Sequence, residues 1–164
     1  MRAVTETDVR EALVNASPHE LEQLALPMRF ALAEWDFLDF FAGTDAENPR
    51  RGYVLMEREG GLVGVVIHVS GPGRARAGMC NICRTMQPGN QVGLATARRA
   101  GDAGRRGDSI GTYMCADLSC HDSVRLAPPL APQEVRPPGQ VDLRLDGTAR
   151  RMAAFIDSVL EPRE

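Results

Sequence analysis

All four cysteines of this 164-residue chain fall in two short stretches, MCNICRTM (residues 79–86) and YMCADLSCHD (residues 113–122). Cys80 and Cys83 form a C-x2-C pair and Cys115 and Cys120 a C-x4-C pair, with 31 residues between the pairs. Each pair is a chelate by itself, because a tight turn can aim two sulfurs at one point. Zinc takes four thiolates in a tetrahedron at about 2.3 Å. The spacing departs from the common arrangement of two C-x2-C pairs about 15 to 20 residues apart, the gap between pairs being longer and the second pair wider. A zinc site is still the favoured expectation. A disulfide or redox pair is the alternative, and a thioredoxin-like centre would need a βαβ context that is missing. With four sulfur ligands the site is closed to water and substrate, so the metal, one Zn2+, is expected to be structural. His121, next to Cys120, is a conceivable replacement ligand that a complete cysteine set makes unnecessary.

Compartment bears on the same choice. The start, MRAVTETDVREALV, lacks the apolar run of a signal peptide, and no window approaches the ~18 apolar residues needed to span a bilayer. A soluble, cytoplasmic monomer is expected, and in a reducing cytosol paired cysteines are metal ligands more often than disulfides. Aromatic residues make up only 5% of the chain, which leaves a modest core of Leu, Val, Ala and Met.

Local patterns predict an α+β fold: a small N-terminal helical segment, antiparallel β-hairpins, a treble-clef zinc finger and a C-terminal helix. Residues 5–16 carry apolar positions at helical spacing behind a Thr5/Asp8 capping box, and Ser17, Pro18 and Glu20 announce a second helix over 18 to about 25, ended by Pro27. WDFLDFF at 35–41 is expected to anchor the N-terminal segment (1–50) in the core, the alternative being an aromatic patch for a partner. Residues 52–58 and 62–69 read as a hairpin with a glycine turn, with His68 an ordinary strand residue, and 91–97 and 109–114 as two further strands. A knuckle, a hairpin and a short helix over 116–125 describe a treble-clef module, placed with the first hairpin in a domain over 51–127. Five prolines then mark a linker over 128–140, followed by a C-terminal segment over 141–164 whose stripe Met152, Phe155, Ile156, Val159 and Leu160 predicts a helix from about 148 to 160 that packs back on the body.

Charge is unevenly spread. Residues 1–50 carry ten carboxylates against four arginines, a net of −6, whereas residues 73–120 carry seven arginines, Arg74 and Arg76 among them, against three aspartates, a net of +4. All 19 basic residues are arginine, for which biased codon usage is the simplest cause. The stretch 98–108, RRAGDAGRRGD, is read as an exposed loop joining two strands. Its Arg98, Arg99, Arg105 and Arg106 are candidate partner-binding residues, able to pair bidentately with carboxylates, or else simply solvated. Tyr113 joins them as a residue facing either the metal site or a partner. No Walker loop, G-x-S-x-G or H-E-x-x-H occurs and the three histidines are scattered. No enzyme, small-molecule substrate or membrane association is expected.

Residues 79–125, and above all the MC-x2-C start, TARRAGDAGRRG and GTYMCADLSC, closely resemble the treble-clef zinc finger of the FBP or FusB-type family, the elongation factor G-binding proteins associated with fusidic acid resistance. VNASPHELEQLALP, WDFLDFFAG, the 52–69 hairpin and the C-terminal helix extend the resemblance over most of the chain. It is similar to a shorter form whose N-terminal part is too small for a full helical bundle. The resemblance implies a non-enzymatic protein whose partner is elongation factor G, with the ribosome as a further partner, and which helps the factor leave the ribosome. The competing expectation is a nucleic-acid-binding zinc protein with ribosomal RNA as target, to which the basic patch speaks and the scarcity of interleaved aromatics does not.

Overall fold

The computed structural model describes residues 1–71, 77–126, 133, 135 and 137–161. Three short helices open the chain: α1 (Glu6–Ala12), α2 (Pro18–Glu22) and α3 (Met28–Ala31), followed by a single 3-10 turn at Trp35–Phe37. The first two start at the capping boxes expected of them, Thr5 with Asp8 and Ser17 with Glu20. Both are shorter than their periodicity predicts. Leu13 leaves α1 to bridge Gly64, and Val14 N–H donates to the Gly64 carbonyl at 3.0 Å, so a pairing with the sheet ends the helix.

Seven strands follow: β1 (Phe40–Thr44), β2 (Arg51–Arg58), β3 (Gly61–Val69), β4 (Gly78–Met79), β5 (Met86–Gln87), β6 (Val92–Arg98) and, beyond a helix α4 (Gly101–Arg105), β7 (Ser109–Cys115). Five of them make one antiparallel sheet in the order β1-β2-β3-β6-β7, and β4 with β5 makes a separate two-stranded ribbon. The predicted hairpin is β2 and β3, turning at Gly61, whose φ of +117° suits glycine. β1 begins at Phe40 and Phe41, the last two residues of the aromatic run, for which no strand was expected. A short helix α5 (Cys120–Ser123) and a long α6 (Gln140–Leu160) complete the described chain.

The sheet is covered on both faces. Phe41, Tyr53, Leu55 and Val66 pack under the N-terminal segment with Val9, Leu13 and Leu24, where Phe30, Trp35 and Phe41 meet with ring centroids 5.1–5.5 Å apart. On the opposite face Phe40, Val54, Val65 and Ile67 pack with all four cysteines and with Met152, Ile156 and Val159 of α6. The expected anchoring role of the aromatic run therefore holds for Trp35, Phe40 and Phe41, whereas Phe37 stays exposed. A buried ion pair, Asp45 with Arg51 at 2.8 Å, ties β2 to the N-terminal segment, where Ala25 N–H donates to Asp45 and Arg51 donates to the Gln23 carbonyl.

Three expectations need correction. The stretch 98–108 is not a plain loop, because α4 forms within it. Gly104 permits this, since a Cβ there would overlap the Arg99 carbonyl. The helix expected over 116–125 begins only at Cys120, because Leu118 sits at φ +60°, outside helical space. The C-terminal helix begins at Gln140 instead of about 148, immediately after Gly139 in the left-handed region at φ +72°. Most of the proline-rich stretch assigned as a linker, residues 127–132, 134 and 136, lies outside the described residues, as do Arg74 and Arg76.

Candidate metal centre

The β4–β5 ribbon folds the first pair into a knuckle. Cys80 N–H donates to Thr85 O at 3.1 Å, Arg84 N–H to Cys80 O at 2.9 Å and Cys83 N–H to Cys80 Sγ at 3.4 Å. This turn requires Arg84 at φ 57°, a conformation that costs a residue with a Cβ about 1–2 kcal/mol. The second pair comes from the last residue of β7 and the first of α5, and Leu118 N–H donates to Cys115 O at 3.0 Å in the turn between them. Asn81 N–H donates to Tyr113 O at 2.8 Å and so fastens the knuckle against β7.

These elements bring the four sulfurs within 4.8 Å of one another. Cys80 Sγ lies 3.6 Å from Cys120 Sγ and Cys83 Sγ 3.7 Å from Cys115 Sγ. A tetrahedron with metal–sulfur bonds of 2.3 Å has edges of about 3.8 Å, whereas a disulfide would need about 2.05 Å. The cysteines are unbonded and their sulfurs stand at the spacing of a tetrahedral zinc site, not at that of a disulfide. All four are buried. Hydrogen bonding from Cys115 and Cys120 draws the Cys80 thiol down to about 7 and Cys83 further, while Cys120 is pushed up by its three sulfur neighbours. Packed like this, the sulfurs cannot all carry charge without a cation among them, and a divalent one lets all four become thiolate.

The surroundings support a closed, structural centre. Arg151 of α6 donates from Nε to Ile82 O at 2.6 Å, pinning the long helix on the knuckle and placing a guanidinium beside the sulfur cluster. His121 is not a ligand candidate in this arrangement. Its ring stacks edge-on with Phe40 at 5.7 Å, its Nε2 lies 3.9 Å from Asp39 and its nitrogens face Arg125. Burial, with Arg125 close by, lowers its pKa. Replacing Arg84 with glycine relieves the left-handed strain and is expected to raise stability by about 0.5–1 kcal/mol without changing metal content, measured by thermal melting and metal analysis.

The sequence-assigned arginines separate into three kinds. Arg99 is 7% exposed and turned inward, its Nη1 donating to the Ser158 and Glu161 carbonyls at the end of α6 while Nε lies 3.3 Å from Asp108. It serves as a cap on that helix and offers no free guanidinium to a partner. Arg98 is exposed but pairs with Glu20 of α2. Arg105 pairs with Asp102 on its own helix, and Arg106 is exposed beside it. Tyr113 is 56% exposed and paired across the strands with Leu94, on the outer surface, so it does not cover the metal site. Burial of Arg99 could not be read from the sequence, since nothing there shows where α6 ends in space.

Comparison with known proteins agrees with this geometry. The family model described as FBP C-terminal treble-clef zinc-finger matches residues 8–159. A solved structure described as that of the fusidic acid resistance protein FusC is similar in fold, with a TM-score of 0.58 at 12% identity over 96% of this chain. The chain spans 59% of that protein's length. No curated protein matches the chain.

Proposed function

The chain belongs to the FBP C-terminal treble-clef zinc-finger family, and from that premise we propose that it is a non-enzymatic zinc protein that binds translation elongation factor G and promotes its release from the ribosome. The observation that supports this most directly is the closed four-cysteine centre, which has no open position for chemistry and instead braces an exposed surface. Bound zinc supplies an apparent ~10 to 16 kcal/mol of folding free energy and no reaction.

The surface so braced carries the groups suited to a protein partner. Tyr113 and Leu94 offer apolar area on β7 and β6, and Arg105 and Arg106 project from α4, where they can pair with carboxylates of the factor. Release works by differential affinity. The protein must bind a conformation of the factor incompatible with the ribosome more tightly than the ribosome-held one, because equal affinity for both shifts nothing.

Reversing Arg105 and Arg106 to glutamate is expected to weaken factor binding about tenfold, with zinc content and melting unchanged. Arg99 is the wrong residue for this test, since a buried carboxylate there would break the α6 cap. Unchanged affinity, measured by calorimetry with purified elongation factor G, would remove α4 from the interface. Tight ribosomal RNA binding with a steep salt dependence, alongside no complex with the factor, would instead favour a nucleic-acid protein.

A further inference from the structure

The two edges of the main sheet are finished differently. At β7 the zinc knuckle covers the edge, through Asn81 N–H to Tyr113 O at 2.8 Å and Asn81 Nδ2 to Thr112 Oγ1 at 3.2 Å. At the other edge β1 pairs, among the described residues, with β2 alone. Asp45 N–H donates to Arg51 O at 2.8 Å, which makes that pair a hydrogen-bonded rung one step beyond the strand. Alternation along an antiparallel ladder then turns the N–H and C=O of Phe40, Ala42 and Thr44 away from β2. Among the described residues these groups have no hydrogen-bond partner.

This edge forms the floor of a cleft of about 620 Å³. One wall is α3 and the 3-10 turn, with Arg29, Leu32 and Phe37, and the other is α5 with the residues after it, His121, Asp122 and Arg125. Ala42 on the floor is 4% exposed, whereas Leu32 and Phe37 on the rim are 72% and 71% exposed. Only two direct polar contacts between these wall residues cross the cleft, Arg29 to Asp122 at 2.8 Å and Arg125 Nη2 to the Phe37 carbonyl at 3.2 Å. Both involve exposed side chains, and such contacts contribute little, about 0–1 kcal/mol. Among the described residues the hydrogen-bond partners of Arg125 are uncharged: the His121 ring, the His121 carbonyl and the Phe37 carbonyl.

We propose that the β1 edge is a docking site for an extended, apolar segment of a partner protein carrying one carboxylate, which adds to the sheet as a sixth strand. The main chain of that segment pairs with the outward groups of Phe40, Ala42 and Thr44, while its apolar side chains fill the space between Leu32, Phe37 and Phe40. Its carboxylate pairs with the Arg125 guanidinium, a charge-assisted contact in place of the uncharged partners that group now has. A second copy of the chain is a poor occupant. Adjacent strands must approach to about 4.8 Å, and two edges that are each recessed between raised walls would meet wall against wall first. This site lies at the opposite sheet edge from the zinc knuckle and does not depend on the identity of the factor proposed above.

The test uses the full zinc-loaded chain and the acetylated, amidated pentapeptide Thr-Val-Glu-Val-Thr, followed by amide chemical shifts up to millimolar peptide. Shifts are expected to concentrate at Phe40, Ala42 and Thr44, and amide exchange there to slow. Peptide N-methylated at alternate residues, which cannot pair its main chain, is expected not to bind. Arg125→Glu is expected to weaken binding about tenfold, and a Glu-to-Lys peptide to recover part of the loss. Absence of shifts at β1, equal binding of the N-methylated peptide, or a concentration-dependent dimer that occupies this edge would each overturn the proposal. The peptide controls leave the protein unchanged, so a folding defect in the variant cannot decide the result.

Discussion

Cys120→Ser is expected to abolish the cooperative melt of the whole chain and the retention of zinc, and not merely to loosen the finger. Sequence spacing alone predicts a local loss over residues 79–125 with some N-terminal helicity spared. The structure makes the expected loss wider, because the four cysteines sit in the same core as Val54, Val65 and Ile67 of the sheet and Met152 and Ile156 of α6. A structural zinc contributes an apparent ~10 to 16 kcal/mol, comparable to or larger than the ~5 to 15 kcal/mol stability of an entire domain. Removing one ligand also leaves three crowded sulfurs without a closed shell. The check is metal content by mass spectrometry together with far-ultraviolet circular dichroism on heating, with excess chelator on the parent protein as the matching treatment. Stoichiometric zinc and an unchanged melt in the serine variant would show that the ligand set is wrong.

The second large effect lies on the other face of the sheet. The Asp45 side chain is fully buried and accepts from Ala25 N–H at 3.1 Å, Glu47 N–H and Asn48 N–H at 2.9 Å, Arg51 Nε at 3.1 Å and Nη2 at 2.8 Å, and the Tyr53 hydroxyl. Arg51 in turn donates to Gln23 O at 2.6 Å, so one carboxylate ties the N-terminal segment to β2. Asp45→Ala is expected to cost about 3–5 kcal/mol, mostly because Arg51 is left buried and uncompensated. Replacing Asp45 and Arg51 together with apolar residues of similar volume should recover much of that loss.

The same group sets an acid limb. Burial pushes the Asp45 pKa up, but hydrogen bonds from Tyr53 and three backbone N–H groups outweigh it, and the net direction is down. A depressed folded pKa means that the stabilisation is present above the unfolded value of about 3.9 and is lost as pH falls through the folded value. Denaturant unfolding measured from pH 6 down to about pH 2 is expected to show a steep loss below about pH 4, and Asp45→Asn a shallower one. Equal slopes in both proteins would assign the acid limb elsewhere.

What could be read from the chain, and what could not, follows from the range of the interaction involved. Capping boxes, the glycine turn before β3 and the cysteine chelates are set by residues a few positions apart, and each was visible. The fate of Arg99 was not, because its partners are carbonyls about sixty positions away on α6. The edge strand β1 was hidden for a related reason: its Phe40 and Phe41 face opposite cores, so the segment lacks the apolar alternation that marks a half-buried strand. The premature end of α1 likewise reflects a pairing with Gly64, fifty residues on. Among the candidate site residues, the sulfurs were identified by spacing, while the division of the arginines into buried, paired and free required the fold.

Size-exclusion chromatography of the zinc-loaded protein with purified elongation factor G, run with and without chelator, is the most direct test of the claim that zinc holds together a surface built for that factor. A co-eluting complex that disappears when the metal is stripped and returns on adding zinc is expected. A complex that survives complete removal of zinc, or no complex with the metal in place, would contradict it.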